Sequence, residues 1–148
     1  MINPSSLTQA RSSAINYLSK REHSELELRH KLTHKGFEAS IIAQVLSQLQ
    51  IDNLLSNERF VEAYVHSRIK RGFGPLRIQQ ELRERGITGE LQTEHLNIHD
   101  PVWITYARKA REKRFDQNWQ GEREFGKQVR FLQYRGFTPS QIKAALAS

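Results

Sequence analysis

Apolar residues recur along this chain every three or four positions with polar runs between them, a spacing that predicts amphipathic helices almost throughout. A first helix is predicted from Leu7 to Ser19, with Ala10, Ala14, Ile15 and Leu18 as its apolar stripe. Ser24 and Glu27 have the spacing of a capping box, which starts a second helix that runs to Gly36. Ser40 to Leu49 is the third, with Ile41, Ile42, Val45, Leu46 and Leu49 on one side. The order then repeats. Ser56 caps a helix over Arg59 to Lys70 that turns Phe60, Ala63, Tyr64 and Ile69 inward; Gly72 and Gly74 make a turn; Pro75 opens a helix carrying Ile78 and Leu82 to Gly86; and Thr88 to Leu96 forms a short third helix. In the last third, Asp100 and Pro101 open a helix bearing Trp103, Ile104, Ala107 and Ala110. Phe115 to Glu122 reads as a longer loop, Phe125, Val129 and Leu132 mark the next helix, and Thr138, Pro139 and Gln141 cap the last.

The repetition has a fixed period. Gly36, Gly86 and Gly136 stand fifty residues apart, each with leucine four before it (Leu32, Leu82, Leu132), a cation just before it (Lys35, Arg85, Arg135) and a large apolar residue just after (Phe37, Ile87, Phe137). These are the parts of a Schellman ending, in which glycine turns left-handed and folds the next residue back onto the side chain at the start of the last turn. The predicted contacts are Leu32 with Phe37, Leu82 with Ile87, and Leu132 with Phe137. Ten residues beyond each glycine stands another leucine (Leu46, Leu96, Leu146) to bury the following helix. One supersecondary unit is thus used three times. The expected fold class is all-α: a single domain over residues 1–148, made of three tandem three-helix repeats of about fifty residues (6–52, 53–98 and 99–148) in an elongated, curved array.

At 148 residues the three units have enough chain to share one core, although none of them is large enough to stand alone. A net charge of +7 favours an anionic partner such as nucleic acid, a nucleoprotein or an acidic protein surface. The lack of cysteine removes disulfides, thiolate metal sites and thiol nucleophiles together. Neither a signal peptide nor a membrane-length apolar run is present, so the chain reads as cytoplasmic and without membrane contact. A monomer is the expected state.

Candidate chemistry is sparse. His30 and His34 lie one helical turn apart, but no HExxH glutamate and no third ligand accompany them, so they read as solvated histidines. Gly72-Phe73-Gly74 precedes a helix without a strand before it or GK[ST] after it, which makes a tight turn and not a phosphate loop. Glu81 with Glu84, and Glu58 with Glu62, sit among arginines at salt-bridging spacing. No catalytic residue, metal or cofactor is expected, and the chain does not read as an enzyme.

Cations, by contrast, recur with the repeat. Lys20 and Arg21 end the first helix of the first unit, Arg68, Lys70 and Arg71 that of the second, and Arg108, Lys109, Arg111, Lys113 and Arg114 that of the third. Equivalent positions of stacked repeats lie along one side, so these clusters, with Arg77 and Arg83 nearby, are the candidate contacts for a partner or nucleic acid. The competing explanation is that cations at helix ends simply answer the helix dipole.

Two segments carry a resemblance to a known family. NERFVEAYVHSRIKRGFGPLRIQQELRERGI, from Asn57 to Ile87, resembles the RecX family through Arg59-Phe60, Tyr64, Arg68, the turn Arg71 to Pro75, Ile78, Leu82 and Gly86. REHSELELRHKLTHKGF, from Arg21 to Phe37, is similar to that family's first repeat, and the last third is the loosest match. Ser56 and Asn57 stand where family members usually carry acidic residues. The resemblance implies a non-enzymatic regulator that lies in the groove of the RecA–DNA filament and damps strand exchange, ATP hydrolysis, coprotease activity, recombinational repair and the SOS response; the basic surface adds the expectation of non-specific DNA contact. The alternative reading is a helix-turn-helix protein acting directly on DNA, with the second and third helix of a unit as the motif.

Overall fold

The computed structural model describes residues 4–115 and 121–147. Its helices are α1 (Pro4–Leu18), α2 (Glu25–His34), α3 (Ala39–Ile51), α4 (Asn57–Lys70), α5 (Pro75–Glu84), α6 (Gly89–His95), α7 (Val102–Arg114), α8 (Glu122–Arg135) and α9 (Pro139–Leu146). Among the described residues there is no strand, and the helices form three successive three-helix units. Part of the predicted loop, residues 116–120 with Trp119, lies outside the described residues.

Local chemistry fixes the element ends. Ser24 accepts from the Glu27 amide while Glu27 reaches back to the Ser24 N–H, and Thr138 and Gln141 repeat that box at α9. Ser56 caps α4 through the Arg59 amide. Pro101 stands just outside α7 rather than inside it, and the Asp100 carboxylate accepts from the Val102 amide at 2.9 Å. All three repeat glycines have positive φ, +93° at Gly36, +80° at Gly86 and +100° at Gly136. The Schellman bonds run from Phe37 N to Leu32 O (3.3 Å), Ile87 N to Leu82 O (2.9 Å) and Phe137 N to Leu132 O (3.2 Å).

Burial follows the predicted stripes with three exceptions. Ile15 and Phe125 are 40% and 55% exposed, and Ala63 is exposed as well. On α4 the residues that turn inward with Phe60 are Val61 and Val65, one step away from the face first assigned. Burial also divides into two cores where one was expected. Unit one builds its own, with Ala10, Ala14, Leu28, Leu32, Ile42, Leu46 and Leu49, and Leu55 from the start of unit two joins it. Units two and three share the other, which includes Phe60, Ile78, Leu82, Trp103, Ala107, Leu132 and Phe137.

The two junctions explain the division. Between units one and two the ties are polar: the Glu25 amide donates to Asn57 Oδ1 at 2.8 Å, Arg59 pairs with Glu22 at 3.0 Å, and Arg85 pairs with Glu27 at 3.5 Å. Units two and three meet backbone to backbone. The Gly74 amide donates to Arg135 O at 2.7 Å and the Leu76 amide to Gly136 O at 2.9 Å. At both junctions the glycine that ends a middle helix sits on the first turn of the preceding unit's middle helix, Gly86 against Leu26 and Gly136 against Arg77.

Gly86→Val is therefore expected to cost more than a left-handed valine alone. A Cβ there would lie 3.0 Å from the Leu26 Cβ, and the strain of φ +80° adds on the order of 1–3 kcal/mol. Denaturant unfolding checks it, and a midpoint equal to the parent's would count against this junction.

Candidate functional site

Close packing of units two and three brings the ends of α4, α7 and α8 together around a cleft of about 520 Å³. Lys70 lines it from the end of α4 and Arg71 from the turn that follows, Lys109, Lys113 and Arg114 from α7, and Arg135 from α8; Ile69, Gly72, Tyr106, Ala110 and Phe131 complete the lining. Those described lining residues include no acidic side chain, histidine or serine, and they offer positive charge beside apolar surface.

Five of the twelve cations singled out in the sequence thus meet in one place, and seven stand elsewhere. The Arg68 guanidinium is committed to Glu81 by two bonds of 2.8 and 2.6 Å, and it lies 3.8 Å from the centroid of the Phe73 ring. Arg77 pairs with Glu81 at 3.5 Å, lies over Phe73 and Tyr134, and donates to Tyr134 O, which makes it part of the junction. Arg111 donates to Gln128 at 2.7 Å and Arg108 to Ala144 O at 3.2 Å, tying α7 to α8 and α9. Arg83 is exposed on α5, away from the cleft lining.

Lys20 and Arg21 belong to the first unit. Lys20 is exposed, whereas Arg21 makes a bidentate pair with Glu27 at 3.1 Å. Burial alone would raise the Glu27 pKa, but bonds from Arg21 and the Ser24 amide outweigh it and hold the carboxyl below its ordinary value. Beside it His23 is buried, with Nδ1 3.0 Å from Arg21 O and Nε2 2.7 Å from the Lys31 ammonium. That geometry suits a neutral ring donating through Nδ1 and accepting at Nε2. Burial is the main cause that lowers the His23 pKa; the Arg21 carbonyl opposes it, and the Arg21 and Lys31 charges add to it.

A depressed histidine gives a definite sign. The unfolded ring binds a proton below about pH 6.5 while the folded ring resists, so its contribution is complete above that pH and is lost as pH falls through the folded value. The thermal midpoint should fall as pH drops from 7 toward 5, and His23→Gln should flatten that slope. A midpoint unchanged over the window in the unaltered protein would contradict this.

Sequence reasoning overlooked Arg135 and the apolar floor. Arg135 was read only as the cation before a cap glycine, yet its Nη1 donates to Arg71 O at 2.9 Å and its guanidinium lies 5.1 Å from the Phe131 centroid. Its place in the repeat was visible, but the turn opposite was not. Metal-capable groups also gather at one of the acidic pairs that the sequence marked for salt bridging. Glu58, Glu62 and His95 bring ligand atoms within 4.8 Å of one another. Both carboxylates are exposed, and His95 Nε2 lies 3.8 Å from Glu58 without a hydrogen bond. No described helix is long and apolar enough to cross a membrane.

Fold and cleft together define an all-α protein of three tandem three-helix repeats with a cationic face where the second and third repeats meet. Family models described as the first, second and third three-helix domains of RecX match residues 10–49, 56–96 and 105–146. The chain is 41% identical over 139 residues to the regulatory protein RecX of Halorhodospira halophila, covering 93% of this chain and 86% of that one. It is 42% identical over 132 residues to the regulatory protein RecX of Legionella pneumophila, covering 88% of each. Among solved structures, RecX from Lactobacillus salivarius superposes with a TM-score of 0.81 at 19% identity over 97% of this chain and 96% of that one. A second regulatory protein RecX gives 0.80 at 25% identity over 93% and 71%. The chain belongs to the RecX family.

Proposed function

We propose that this protein binds the RecA recombinase filament and restrains its strand exchange, ATP hydrolysis and coprotease activity, and so damps recombinational repair and the SOS response. Family membership over nearly the whole chain carries this reading, because the relatives are named as regulatory proteins. The cationic cleft is compatible with it, since a nucleoprotein filament presents acidic protein surface and phosphate together. Lys70, Arg71, Lys109, Lys113 and Arg114 are the contact residues of the proposal. Lys20 and Arg83 are solvent-facing additions to it. Arg21, Arg68, Arg77, Arg108 and Arg111 serve the scaffold first through their intramolecular bonds. We place the protein in the cytoplasm, as a monomer without cofactor, metal or catalytic step.

A direct helix-turn-helix reading is less well supported. The third helices of units one and two, α3 and α6, contain no lysine or arginine, whereas a recognition helix in the major groove gains most of its phosphate and base contacts from them.

The expected result in solution is a fall in the recombinase's DNA-dependent ATPase at near-stoichiometric or lower ratios of this protein. Unchanged turnover at equimolar protein would refute the proposal, and protection of one defined site in a footprint of naked duplex would favour the helix-turn-helix reading instead.

A further inference from the structure

The rim and the floor of the cleft ask for different chemistry from one occupant. Lys70, Arg71, Lys109, Lys113, Arg114 and Arg135 surround it with cations. Lys109 and Lys113 are one turn apart on α7, which spaces them by about 6 Å along the axis and suits two successive carboxylates. Phosphates would satisfy that rim as well. Phosphate binding, however, makes no use of a floor built from Ile69, Tyr106, Ala110 and Phe131.

Base stacking does not rescue the nucleic-acid reading at this place. Phe131 meets Phe115 edge to face at 5.3 Å and 87°, and the Arg135 guanidinium lies over the ring at 5.1 Å, so a base would have to displace a cation already seated there. Tyr106 likewise makes an edge contact with Trp103 at 5.5 Å. Beside the two rings the floor offers Ile69 and Ala110, in a cleft of about 520 Å³, a volume in the range of pockets that bury a ligand larger than one side chain. Apolar anchors buried in a pocket and ringed by charge are how protein interfaces combine affinity with orientation.

We infer that this cleft is a docking site for an acidic peptide segment of a protein partner, a segment whose carboxylates meet the rim and whose one or two large apolar side chains enter the floor. The inference rests on the proposed regulatory reading only for the identity of the protein that carries the segment. Nucleic acid, where it binds, then uses the open cationic surface and not the floor.

Fluorescence anisotropy of the full chain tests this with three probes: a labelled Asp/Glu-rich peptide containing Leu and Phe, the same peptide with both replaced by serine, and oligothymidylate. The expected result is that the apolar-bearing peptide binds about tenfold or more tightly than its serine version. Its binding should also fall at least as far in Lys109→Glu/Lys113→Glu, a change of exposed residues whose folding circular dichroism can verify. Equal binding of the two peptides, or oligothymidylate displacing the apolar peptide at a lower concentration than the serine peptide does, would overturn the inference. Filament co-sedimentation run alongside separates the two claims. Filament binding without peptide binding overturns the docking site and leaves the regulatory reading in place; peptide binding without filament binding supports the site and sinks that reading.

Discussion

Gly136→Ala is expected to lower the unfolding free energy by about 3 kcal/mol, the sum of a strained left-handed alanine and an overpacked junction. At φ +100° the backbone resists any Cβ, and the Cβ would fall 2.4 Å from that of Arg77 and 2.7 Å from its amide nitrogen, so neither side chain nor backbone has room to give. Two companions separate the causes. Gly74 has an ordinary φ of −95°, but its added Cβ would lie 2.5 Å from Gly136 C and Phe137 N, which makes Gly74→Ala a purely steric lesion of the same junction. Gly36 has φ +93° with nothing within 4 Å, so Gly36→Ala should cost only about 1 kcal/mol. Chemical denaturation of the three variants gives the ranking Gly136, Gly74, Gly36. Equal costs at Gly36 and Gly136 would mean that the second and third units do not seat on each other as described.

The second large effect concerns binding and not folding. Replacing Lys70, Arg71, Lys109 and Lys113 together by glutamine should weaken association with recombinase filaments by at least about tenfold with helicity and unfolding midpoint close to the parent's, because all four are exposed on the cleft rim. Arg68→Gln should do the reverse. Its side chain is only 14% exposed, and its guanidinium is held twice by Glu81 and covers Phe73, so its loss should cost on the order of 2–3 kcal/mol of stability while a folded sample still binds. Isothermal titration against assembled filaments, with thermal melts of the same samples, reads both quantities. A quadruple variant that binds like the parent would remove the cleft from the account.

Helix ends were legible in the sequence because caps are local: Ser24 with Glu27, Thr138 with Gln141, and each glycine with its leucine and its following apolar residue interact within six positions. Faces were legible where the stripe was rich, as in α3, and misread where neighbouring positions were all apolar. Phe60-Val61 and Ala63-Tyr64-Val65 allow two adjacent stripes, and tertiary packing chose the one with Val61 and Val65. The candidate site was half legible. Repetition put five of the cleft's cations on one list, but whether a given arginine faces solvent depends on residues distant along the chain. Glu81, thirteen positions on, claims Arg68, and Arg135 reaches Arg71 across sixty-four. Gly74 shows the same limit, since it looks like a turn glycine while its lack of a side chain is required by a carbonyl of another unit.

Co-sedimentation of the unaltered protein with preassembled recombinase filaments, beside the same DNA without recombinase at the same ionic strength, tests the central claim most directly. The account predicts that the protein pellets with filaments at near-stoichiometric occupancy and to a clearly smaller extent with DNA alone; equal recovery on naked DNA, or none on filaments, would contradict it.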